Sequence, residues 1–411
     1  MDQRPTFHWA WVILAICFAN FFITYSIRLG YGILLPQMSE SLSLTKAQGG
    51  LIYSFFFFAY LLFSPIVGNL TDRFGARRVM ALFSIFLALG TMLMGGVSGF
   101  WSGAFFFGLT GLGASAFFSP IISLVQRWFS SRRRGIALGI LQMGSALGVG
   151  LMGIFLPMVV SKFGWRFSWY LLGGSVFLIV FMNTFYLRND PKELKLIPWG
   201  NGPETEEQKR GKKEVHYREI FRLPPFWIIG ISYLFTSASF YVIFTFLVMY
   251  AVTEIGISHS IASGFMTAMA FAGLLGSPVL LHLSDRVGRR KTILLCHFSI
   301  FFAAFGLLLL KRSIPGLMVS VGALGFFFHP LWPLYGACSR DYFHQSLTGT
   351  IVGLWTIFYG VGGIIFPSLG GYLADRTETF IYSFAFAIGL ILISSLFMIL
   401  AKEEGNRGGI S

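Results

Sequence analysis

The sequence predicts an all-α membrane protein with twelve transmembrane helices, arranged as two six-helix, pseudo-symmetric halves. Composition is the first observation behind this prediction. Of 411 residues, 55% are hydrophobic and only 12% are charged, and the mean hydropathy is +0.71. A soluble domain is rarely so apolar. The second observation is that apolar runs of about 20 residues, each sufficient to cross a hydrocarbon core of ~30 Å, recur along the chain. The third is that the second half repeats motifs of the first.

The apolar runs place six spans on each side of one long polar segment. The first six are predicted at residues 9–35, 49–69, 79–98, 101–126, 135–159 and 167–187. The other six are predicted at residues 226–253, 259–282, 292–310, 314–338, 347–370 and 379–400. Residues 188–225 hold nine Lys or Arg, seven Asp or Glu and five Pro. This composition predicts a cytoplasmic linker between an N-terminal half (1–187) and a C-terminal half (226–411).

The net charge of +14 is explained by membrane topology and not by binding to nucleic acid. With the predicted spans, most Lys and Arg fall on one side of the bilayer. By the positive-inside rule that side is cytoplasmic, which predicts a multi-pass protein of the plasma or inner membrane with both termini in the cytoplasm. The first apolar run is long and lacks a small-residue cleavage pattern, so we expect a retained helix and not a signal peptide.

One basic motif occurs twice, each time between two apolar runs. It reads Asp72-Arg73-Phe-Gly75-Ala-Arg77-Arg78, and 213 residues later Asp285-Arg286-Val-Gly288-Arg289-Arg290. Its composition suits a tight cytoplasmic turn between two membrane helices, because glycine supplies a positive φ and the bases remain on the cytoplasmic side. A basic loop that merely orients two helices is the simpler interpretation, and the duplication in register disfavours it.

Other strings repeat at nearly the same offset. Ser64-Pro65 corresponds to Ser277-Pro278, and Phe117-Phe-Ser-Pro120 corresponds to Phe327-Phe-His-Pro330. Glycines cluster in the fifth and eleventh spans, as at Gly144, Gly148, Gly362 and Gly363. Small residues at such spacing allow helices to approach closely and slide. The two halves of the chain are therefore predicted to be repeats of one another.

The duplicated motif resembles the signature loop between the second and third helices of the major facilitator superfamily. This resemblance implies a central cavity between the halves and a secondary transporter that works by alternating access. Trp9-Ala-Trp11, Arg127-Trp-Phe-Ser-Ser-Arg132 and Asn189-Asp-Pro191 resemble the oxalate/formate and monocarboxylate branch. That branch usually carries an essential Arg in the eighth helix, whereas residues 272–278 contain none. An Arg in the first helix looks more like the organic anion:cation symporters.

Arg28 is the charged residue that the predicted topology leaves inside a span. Every Asp and Glu falls in a predicted loop or at a span end. A charge at membrane depth costs on the order of 2.5–3.5 kcal/mol and usually faces a cavity or a partner. The guanidinium can hold a carboxylate through two hydrogen bonds. We therefore predict that Arg28 binds the anionic group of the substrate. The alternative is that its long side chain extends to the headgroup region.

The resemblance also nominates residues on the helices that line the cavity in this superfamily. The predicted substrate-binding residues are Arg28, Tyr31, Ser119, Gln142, Tyr241, Thr245, His329, Trp355 and Tyr359, with Tyr53 as a further lining residue. Each aromatic residue could equally serve packing alone. His329 lies near the middle of a span and titrates near neutral pH when unperturbed, so it is also the predicted proton-coupling residue. A buried histidine with a purely structural role is the alternative.

The two basic motifs are predicted to control the conformational change, through ion pairs and helix-terminus contacts. The predicted gating residues are Asp72, Arg73, Gly75, Arg77, Arg78, Arg127, Asp285, Arg286, Gly288, Arg290 and Arg340. The pairs that we expect are Asp72 with Arg127, and Asp285 with Arg340.

These observations predict a transporter of a small organic anion, most simply a mono- or dicarboxylate, by proton symport or by anion exchange. The sequence lacks a nucleophile–base arrangement, a metal-ligand cluster and a phosphate loop with Lys, so we expect neither an enzyme nor a cofactor. The expected partners are the substrate, protons and the lipid bilayer, and the expected functional unit is a monomer. Drug or metabolite efflux is one alternative, although Gly153-Ile-Phe-Leu-Pro157 departs from the efflux pattern in the fifth helix. A non-transporting receptor is the other.

Overall fold

The computed structural model describes residues 8–200, 220–343 and 347–401, apart from the side chains of residues 131 and 132. These residues are almost entirely helical. They form two compact units, counting only the described residues of each range. The first unit is Met1–Thr205 with Ser258–Thr267, and the second is Glu206–Ile257 with Ala268–Ser411.

Six α-helices form residues 8–200 of the first unit. They are α1 (Ala10–Leu42), α2 (Lys46–Phe74), α3 (Ala76–Leu93), α4 (Phe100–Ala114), α5 (Ser119–Trp128) and α6 (Ser131–Phe185). A capping box starts α2: the Thr45 hydroxyl accepts from the Gln48 N–H, and the Gln48 side chain accepts from the Thr45 N–H. Helices α1 and α3 pack along α6, while α4 packs against α2 and α3.

Seven further α-helices lie in residues 220–343 and 347–401. They are α7 (Pro224–Thr253), α8 (His259–Val287), α9 (Arg289–Leu309), α10 (Ile314–Phe328), α11 (Leu331–Tyr342), α12 (Thr348–Thr377) and α13 (Ile381–Leu400). Helix α7 packs along α12 and α13, and α9 packs along α10 and α13. The first residues of α8 belong to the first unit and the remainder to the second.

Eleven helical segments of the described chain are long and apolar enough to cross a membrane. One of them, Arg133–Phe185, has 53 residues, which corresponds to about 80 Å, whereas a hydrocarbon core is about 30 Å thick. Gly164 interrupts this helix with a φ of +80° and a ψ of 167°, a conformation that glycine adopts readily. The sequence predicts two spans here, and Gly164 lies in the gap between them.

The fourth and tenth predicted spans each consist of two helices. A single 3-10 turn, Ser115–Phe117, separates α4 from α5, and Pro120 lies in the first turn of α5. His329 and Pro330 separate α10 from α11. Proline has no N–H and clashes with the carbonyl four residues earlier, so it ends or kinks a helix. The repeated proline motif thus interrupts the helix at corresponding places in both units.

Glycine allows close packing between α1 and α6 and between α7 and α12. Gly148 faces the Phe22 carbonyl so closely that a Cβ would overlap the oxygen, and Gly362 faces the Ser237 hydroxyl in the same way. Serine hydroxyls complete both contacts: Ser26 donates to Gly148 O at 3.2 Å, and Ser237 donates to Tyr359 O at 3.0 Å. The predicted use of these glycines in close helix packing is confirmed.

The first residues of the predicted linker fold onto the first unit. Pro191–Leu194 forms a 3-10 turn, and the Trp199 ring packs against Trp11 at 4.9 Å and against Phe129 at 5.8 Å. The Trp199 N–H donates to Trp128 O at 2.9 Å. Residues 188–200 are therefore an ordered extension of the first unit, and residues 201–219 of the linker lie outside the described chain.

Candidate substrate and gating sites

Arg28 is buried inside the first unit. Its side chain belongs to α1 and is 7% exposed. The guanidinium carbon lies 4.6 Å from the centre of the Phe57 ring and 5.4 Å from the centre of the Tyr25 ring. Aromatic faces attract a cation by about 2 kcal/mol when the pair is desolvated, but they leave its formal charge in place. The side chain therefore packs in the unit instead of extending to its outer surface.

Thr24 lies one helical turn before Arg28 and shares its face of α1. Its side chain is 8% exposed, and among the described residues its hydroxyl has no hydrogen-bond partner. A buried hydroxyl without a partner costs about 1–3 kcal/mol. The sequence prediction missed Thr24, although the spacing of four residues from Arg28 was a signal for it.

Tyr31 and Tyr53 belong to the packing between α1, α2 and α4. The Tyr31 hydroxyl donates to Gly49 O at 2.7 Å, and its ring stacks on Phe107 at 4.7 Å. The Tyr53 ring lies 5.5 Å from that of Tyr31. Both side chains are at most 1% exposed. The Tyr31 hydroxyl is therefore engaged by the backbone of α2, and a role for Tyr31 in binding substrate remains a prediction.

In the second unit, Tyr241 of α7 and Tyr359 of α12 are in direct contact. Their hydroxyls form a hydrogen bond, and their rings meet edge to face at 5.6 Å. Trp332 packs on Tyr359 at 5.2 Å. Tyr241 and Tyr359, which were predicted separately, are thus in contact. Their hydroxyl groups are polar, and the aromatic rings that carry them are apolar.

The remaining nominated residues have different environments. The Trp355 indole is 1% exposed and donates to Phe226 O at 2.9 Å, so its donor is used in packing α12 against α7. Thr245 is 1% exposed, and in the described chain its hydroxyl has no partner. Ser119 and Gln142 are exposed on the first unit.

His329 lies at the break between α10 and α11 and packs against α8. A Cβ added to Gly273 would come within 2.6 Å of the imidazole Cδ2, so the ring occupies the space that a larger residue would fill. Gly273 belongs to the stretch in which the monocarboxylate branch usually carries its Arg. The imidazole of His329 fits against α8 because Gly273 has no side chain.

The two basic motifs form the predicted turns. Gly75, between α2 and α3, has a φ of +82° and a ψ of 151°, and Gly288, between α8 and α9, has a φ of +95° and a ψ of 150°. These angles fall in a region that is essentially restricted to glycine. The positive φ predicted for both glycines is confirmed.

An arginine two residues after each glycine binds the end of a distant helix. Arg77 donates from Nε and Nη2 to Thr184 O, in the last turn of α6, at 3.0 and 2.6 Å. Arg290 donates from Nε to Met398 O at 3.1 Å and from Nη2 to Ile399 O, in the last turn of α13. Carbonyls at a helix C-terminus lack intrahelical partners and carry partial negative charge, which a cation offsets. Each motif thus ties the start of one helix to the end of another within its own unit.

The ion pairs that the structure shows at the second motif involve Arg289, which binds Asp285 at 2.5 Å and Asp341 at 3.8 Å. The pairs of Asp72 with Arg127 and of Asp285 with Arg340 remain predictions. Asp285 lies in the last turn of α8 and Arg289 is the first residue of α9, so the turn at Gly288 brings the two side chains together. Ala76 occupies the corresponding place in the first motif, so the first unit cannot form this pair.

The other predicted gating residues are exposed. They are Asp72, Arg73, Arg78, Arg127, Arg286 and Arg340. A cavity of about 600 Å³ opens beside the first turn and is lined by Arg77, Arg78, Asn189 and Glu193, among others. Asn189 also accepts a hydrogen bond from the Arg77 N–H at 2.8 Å, so the start of the linker contributes to this turn.

The sequence pattern that defines the Major Facilitator Superfamily matches residues 14–311 and 229–410 of the chain. The chain belongs to the Major Facilitator Superfamily. This assignment agrees with the helical architecture and with the paired basic turns. It also identifies the chain as a multi-pass membrane transporter and not an enzyme, since the similar proteins are transporters as well.

Relatives in this superfamily align with nearly the full chain. The hexuronate transporter of Bacillus subtilis (strain 168) is 26% identical, over 92% of this chain and 91% of the relative. The probable sulfoacetate transporter SauU of Cupriavidus necator is 24% identical, over 94% and 93%. Monocarboxylate transporter 12 of Rattus norvegicus is 22% identical, over 97% and 86%.

Solved structures show the same fold. A bacterial homologue of the human lysosomal transporter Spinster superposes with a TM-score of 0.79 at 15% identity, over 100% of both chains. The nucleoside transporter NupG superposes with a TM-score of 0.76 at 12% identity, over 96% of this chain and 100% of that one. At such identities the likeness concerns the fold alone.

Proposed function

We propose that the protein transports a small organic anion, most simply a mono- or dicarboxylate, by alternating access, with proton symport or anion exchange as the energy source. The observation that carries the proposal is the buried guanidinium of Arg28. A guanidinium held between aromatic rings inside an apolar helix carries a positive charge that a bound anion can offset, and water competes little at such a buried position. The relatives named above are transporters of hexuronate, sulfoacetate and monocarboxylate, all of which carry an anionic group.

The proposed topology completes this picture. Arg133–Phe185 crosses the bilayer twice, with Gly164 between the two spans, and this gives twelve spans in halves at 1–187 and 226–411, joined by the linker 188–225. The basic turns after α2 and α8 face the cytoplasm, as do both termini, in the plasma or inner membrane. The two turns act in gating, because each carries an arginine tie that a conformational change can break and remake.

Each unit by itself contains candidate residues for contact with an anion. Arg28, with Thr24 beside it, provides the positive charge and a hydroxyl in the first unit. Tyr241 and Tyr359 provide hydroxyl groups in the second, and Thr245 has a buried hydroxyl available on α7. Aromatic residues with polar tips suit an organic anion that has an apolar body and a charged end.

Counterflow in proteoliposomes tests the proposal. Vesicles are loaded with an unlabelled acid, and uptake of the same labelled acid is measured for D-glucuronate, sulfoacetate, L-lactate and oxalate. Glucose serves as the neutral analogue of glucuronate, and a lipophilic cationic drug tests the efflux alternative. We expect exchange of at least one acid and of neither control. Exchange of the cation alone would refute the proposal.

Substitution of Arg28 tests the site itself. Arg28→Ala should lower the affinity for the exchanged acid by at least about a hundredfold, because two charge-assisted hydrogen bonds together contribute about 3 kcal/mol or more. Arg28→Lys retains the charge without the planar fork and should also bind weakly. Arg166→Lys is the matched control, because Arg166 also stacks on an aromatic ring, Trp165 at 4.4 Å, and donates to Val97 O at 2.7 Å. Normal exchange by Arg28→Ala would remove the anion site.

A further inference from the structure

A buried polar cluster joins four helices of the second unit. It consists of Ser232 and Thr236 of α7, His297 of α9, Tyr335 of α11 and Ser394 of α13, and we name it the His297 cluster. All five side chains are at most 1% exposed. Polar groups are expensive at membrane depth unless they are satisfied, and ionisable ones there usually have a function.

The hydroxyl groups of the His297 cluster satisfy one another. The Tyr335 hydroxyl lies 2.6 Å from Ser232 Oγ, and Thr236 Oγ1 lies 2.8 Å from Ser394 Oγ. Ser394 donates to Ser232 O at 2.7 Å. The imidazole joins through Nε2, which lies 3.1 Å from Thr236 Oγ1 and 3.3 Å from the Tyr335 hydroxyl.

The other imidazole nitrogen, Nδ1, takes no part in the hydrogen bonds of the cluster. Nδ1 of His297 is buried, and it has no hydrogen-bond partner in the part of the chain that the structure describes. In the tautomer that carries its proton on Nε2, this N–H donates to Thr236, and Thr236 in turn donates to Ser394. Nδ1 then presents a bare lone pair. A proton can add there without disturbing any hydrogen bond of the cluster, because a hydroxyl can both donate and accept.

The first unit contains a corresponding cluster with no titratable group. Asn20 of α1 and Asn183 of α6 exchange hydrogen bonds at 2.9 and 3.0 Å, and Asn183 donates to Ser84 of α3 at 3.2 Å. Ser84 lies 213 residues before His297, the offset of the two basic motifs. Side chains that do not titrate are therefore sufficient to hold these helices together. The histidine adds the ability to bind a proton, which packing does not require.

Ring contacts connect the cluster to the tyrosines of the proposed substrate site. The Tyr335 ring lies 4.6 Å from that of Tyr233, and Tyr233 lies 5.5 Å from Tyr359. Tyr359 shares a hydrogen bond with Tyr241. A change in charge at His297 is thus separated from Tyr359 by two aromatic rings in low-dielectric surroundings, where charges act over longer distances than in water.

We propose that His297 is the proton-binding residue that couples proton movement to anion transport. This inference rests on the function proposed above. Protonation at Nδ1 places a positive charge in the buried cluster, and a bound anion offsets its cost. Proton and anion then raise each other's affinity by the same factor.

The other titratable side chains around His297 are phenols and thiols, so the imidazole is the group that can gain a positive charge. Tyr335 and Cys338 of α11 and the adjacent Cys296 are titratable, and α7 contributes Tyr233. Helix α10 carries no titratable side chain, and α13 carries only Tyr382, at its exposed start.

The test compares two histidine substitutions in proteoliposomes. His297→Gln places an amide near the position of Nε2, so it retains a partner for Thr236 but cannot be protonated. His329→Gln is the matched control at the other candidate histidine. The probe is the acid that the wild-type protein exchanges fastest among D-glucuronate, sulfoacetate and L-lactate. Proton entry during net uptake is followed with a trapped pH-sensitive dye, and counterflow of the same acid is followed with radiolabel.

We expect His297→Gln to lose about tenfold or more in protons moved per anion, within the usual range of coupling between two ligands. Counterflow should persist in His297→Gln, and His329→Gln should move as many protons per anion as the wild type. Unchanged proton movement in His297→Gln, or its loss only in His329→Gln, would overturn the inference. A wild-type protein that exchanges anions without moving protons would also overturn it and leave the proposed function intact, whereas a wild-type protein that exchanges no acid refutes the proposed function first.

A second variant covers the case in which His297→Gln does not fold. Thr236→Val removes the hydroxyl partner of Nε2 and leaves the imidazole in place. It should shift the midpoint of the pH dependence of net uptake. An unshifted midpoint in a folded Thr236→Val protein contradicts the inference.

Discussion

The turn between α2 and α3 allows a sharp test, because its geometry fixes the cost of a single methyl group. In Gly75→Ala the new Cβ would lie 2.8 Å from both Oδ1 and Nδ2 of Asn189. The backbone there has a φ of +82° and a ψ of 151°, a region in which a side chain costs on the order of 1–3 kcal/mol. Displacing Asn189 also breaks its hydrogen bond with the Arg77 N–H, which contributes about 0.5–1.5 kcal/mol.

These terms sum to about 2–4 kcal/mol, which corresponds to a fall in Tm of about 5–15 °C for a unit of this size. Thermal unfolding of the purified protein, followed by circular dichroism, measures the change. Gly68→Ala is the matched control: Gly68 lies inside α2 with no atom within 4 Å of its would-be Cβ. Alanine favours a helix by about 1 kcal/mol relative to glycine, so the control should be neutral or stabilising. Equal Tm values for the two variants would refute the assigned strain.

Two further predictions concern the ties between helices. Arg77→Ala and Arg290→Ala should each cost about 1–2 kcal/mol, because each loses charge-assisted hydrogen bonds to carbonyls in a partly exposed place. Hydrogen exchange should rise in the last turns of α6 and α13 respectively, and a change in the same helix for both variants would contradict the assignment. Gly148→Ala should cost about 1–3 kcal/mol through overpacking against α1. In Gly139→Ala, on the same helix, nothing lies within 4 Å of the new methyl group, so a similar loss of Tm in both would argue against the close contact.

The two basic motifs show how duplicated sequences acquire different interactions. The arginine two residues after the glycine forms the same kind of tie in both units, to the last turn of α6 or of α13. Only the second motif forms an ion pair within the turn in the described structure, because it has Arg289 where the first has Ala76. We expect the second turn to be more sensitive to ionic strength than the first, since screening weakens exposed ion pairs.

Local sequence rules were sufficient for several features of the fold. Apolar run length identified the membrane helices, because a bilayer core demands about 20 apolar residues for each crossing. The glycines of the two turns were correctly given a positive φ, since the Asp-Arg-x-Gly pattern requires the chain to reverse within a few residues. Proline in the fourth and tenth spans was visible as a repeated string, but its consequence, a broken helix, was not predicted.

Long-range partners were the features that local rules missed. Arg77 and Arg290 bind backbone carbonyls more than 100 residues away in sequence, and backbone acceptors look alike at every position. The predicted pairing of Asp285 with Arg340 did not consider Arg289, which binds Asp285 across the turn at Gly288. The hydroxyl groups that surround His297 come from three other helices, so no pattern in the sequence indicated this network.

The sequence by itself determined the membrane class, the apolar runs, the repeated motifs and the position of Arg28 within an apolar run, because these depend on composition and spacing along the chain. The tertiary structure alone decided which rings surround Arg28, that the hydroxyls of Tyr241 and Tyr359 meet, and which histidine sits in a network of hydroxyl groups. The physical reason is that burial and hydrogen bonding depend on side chains from helices distant in sequence, and helical periodicity does not encode which helices will be neighbours.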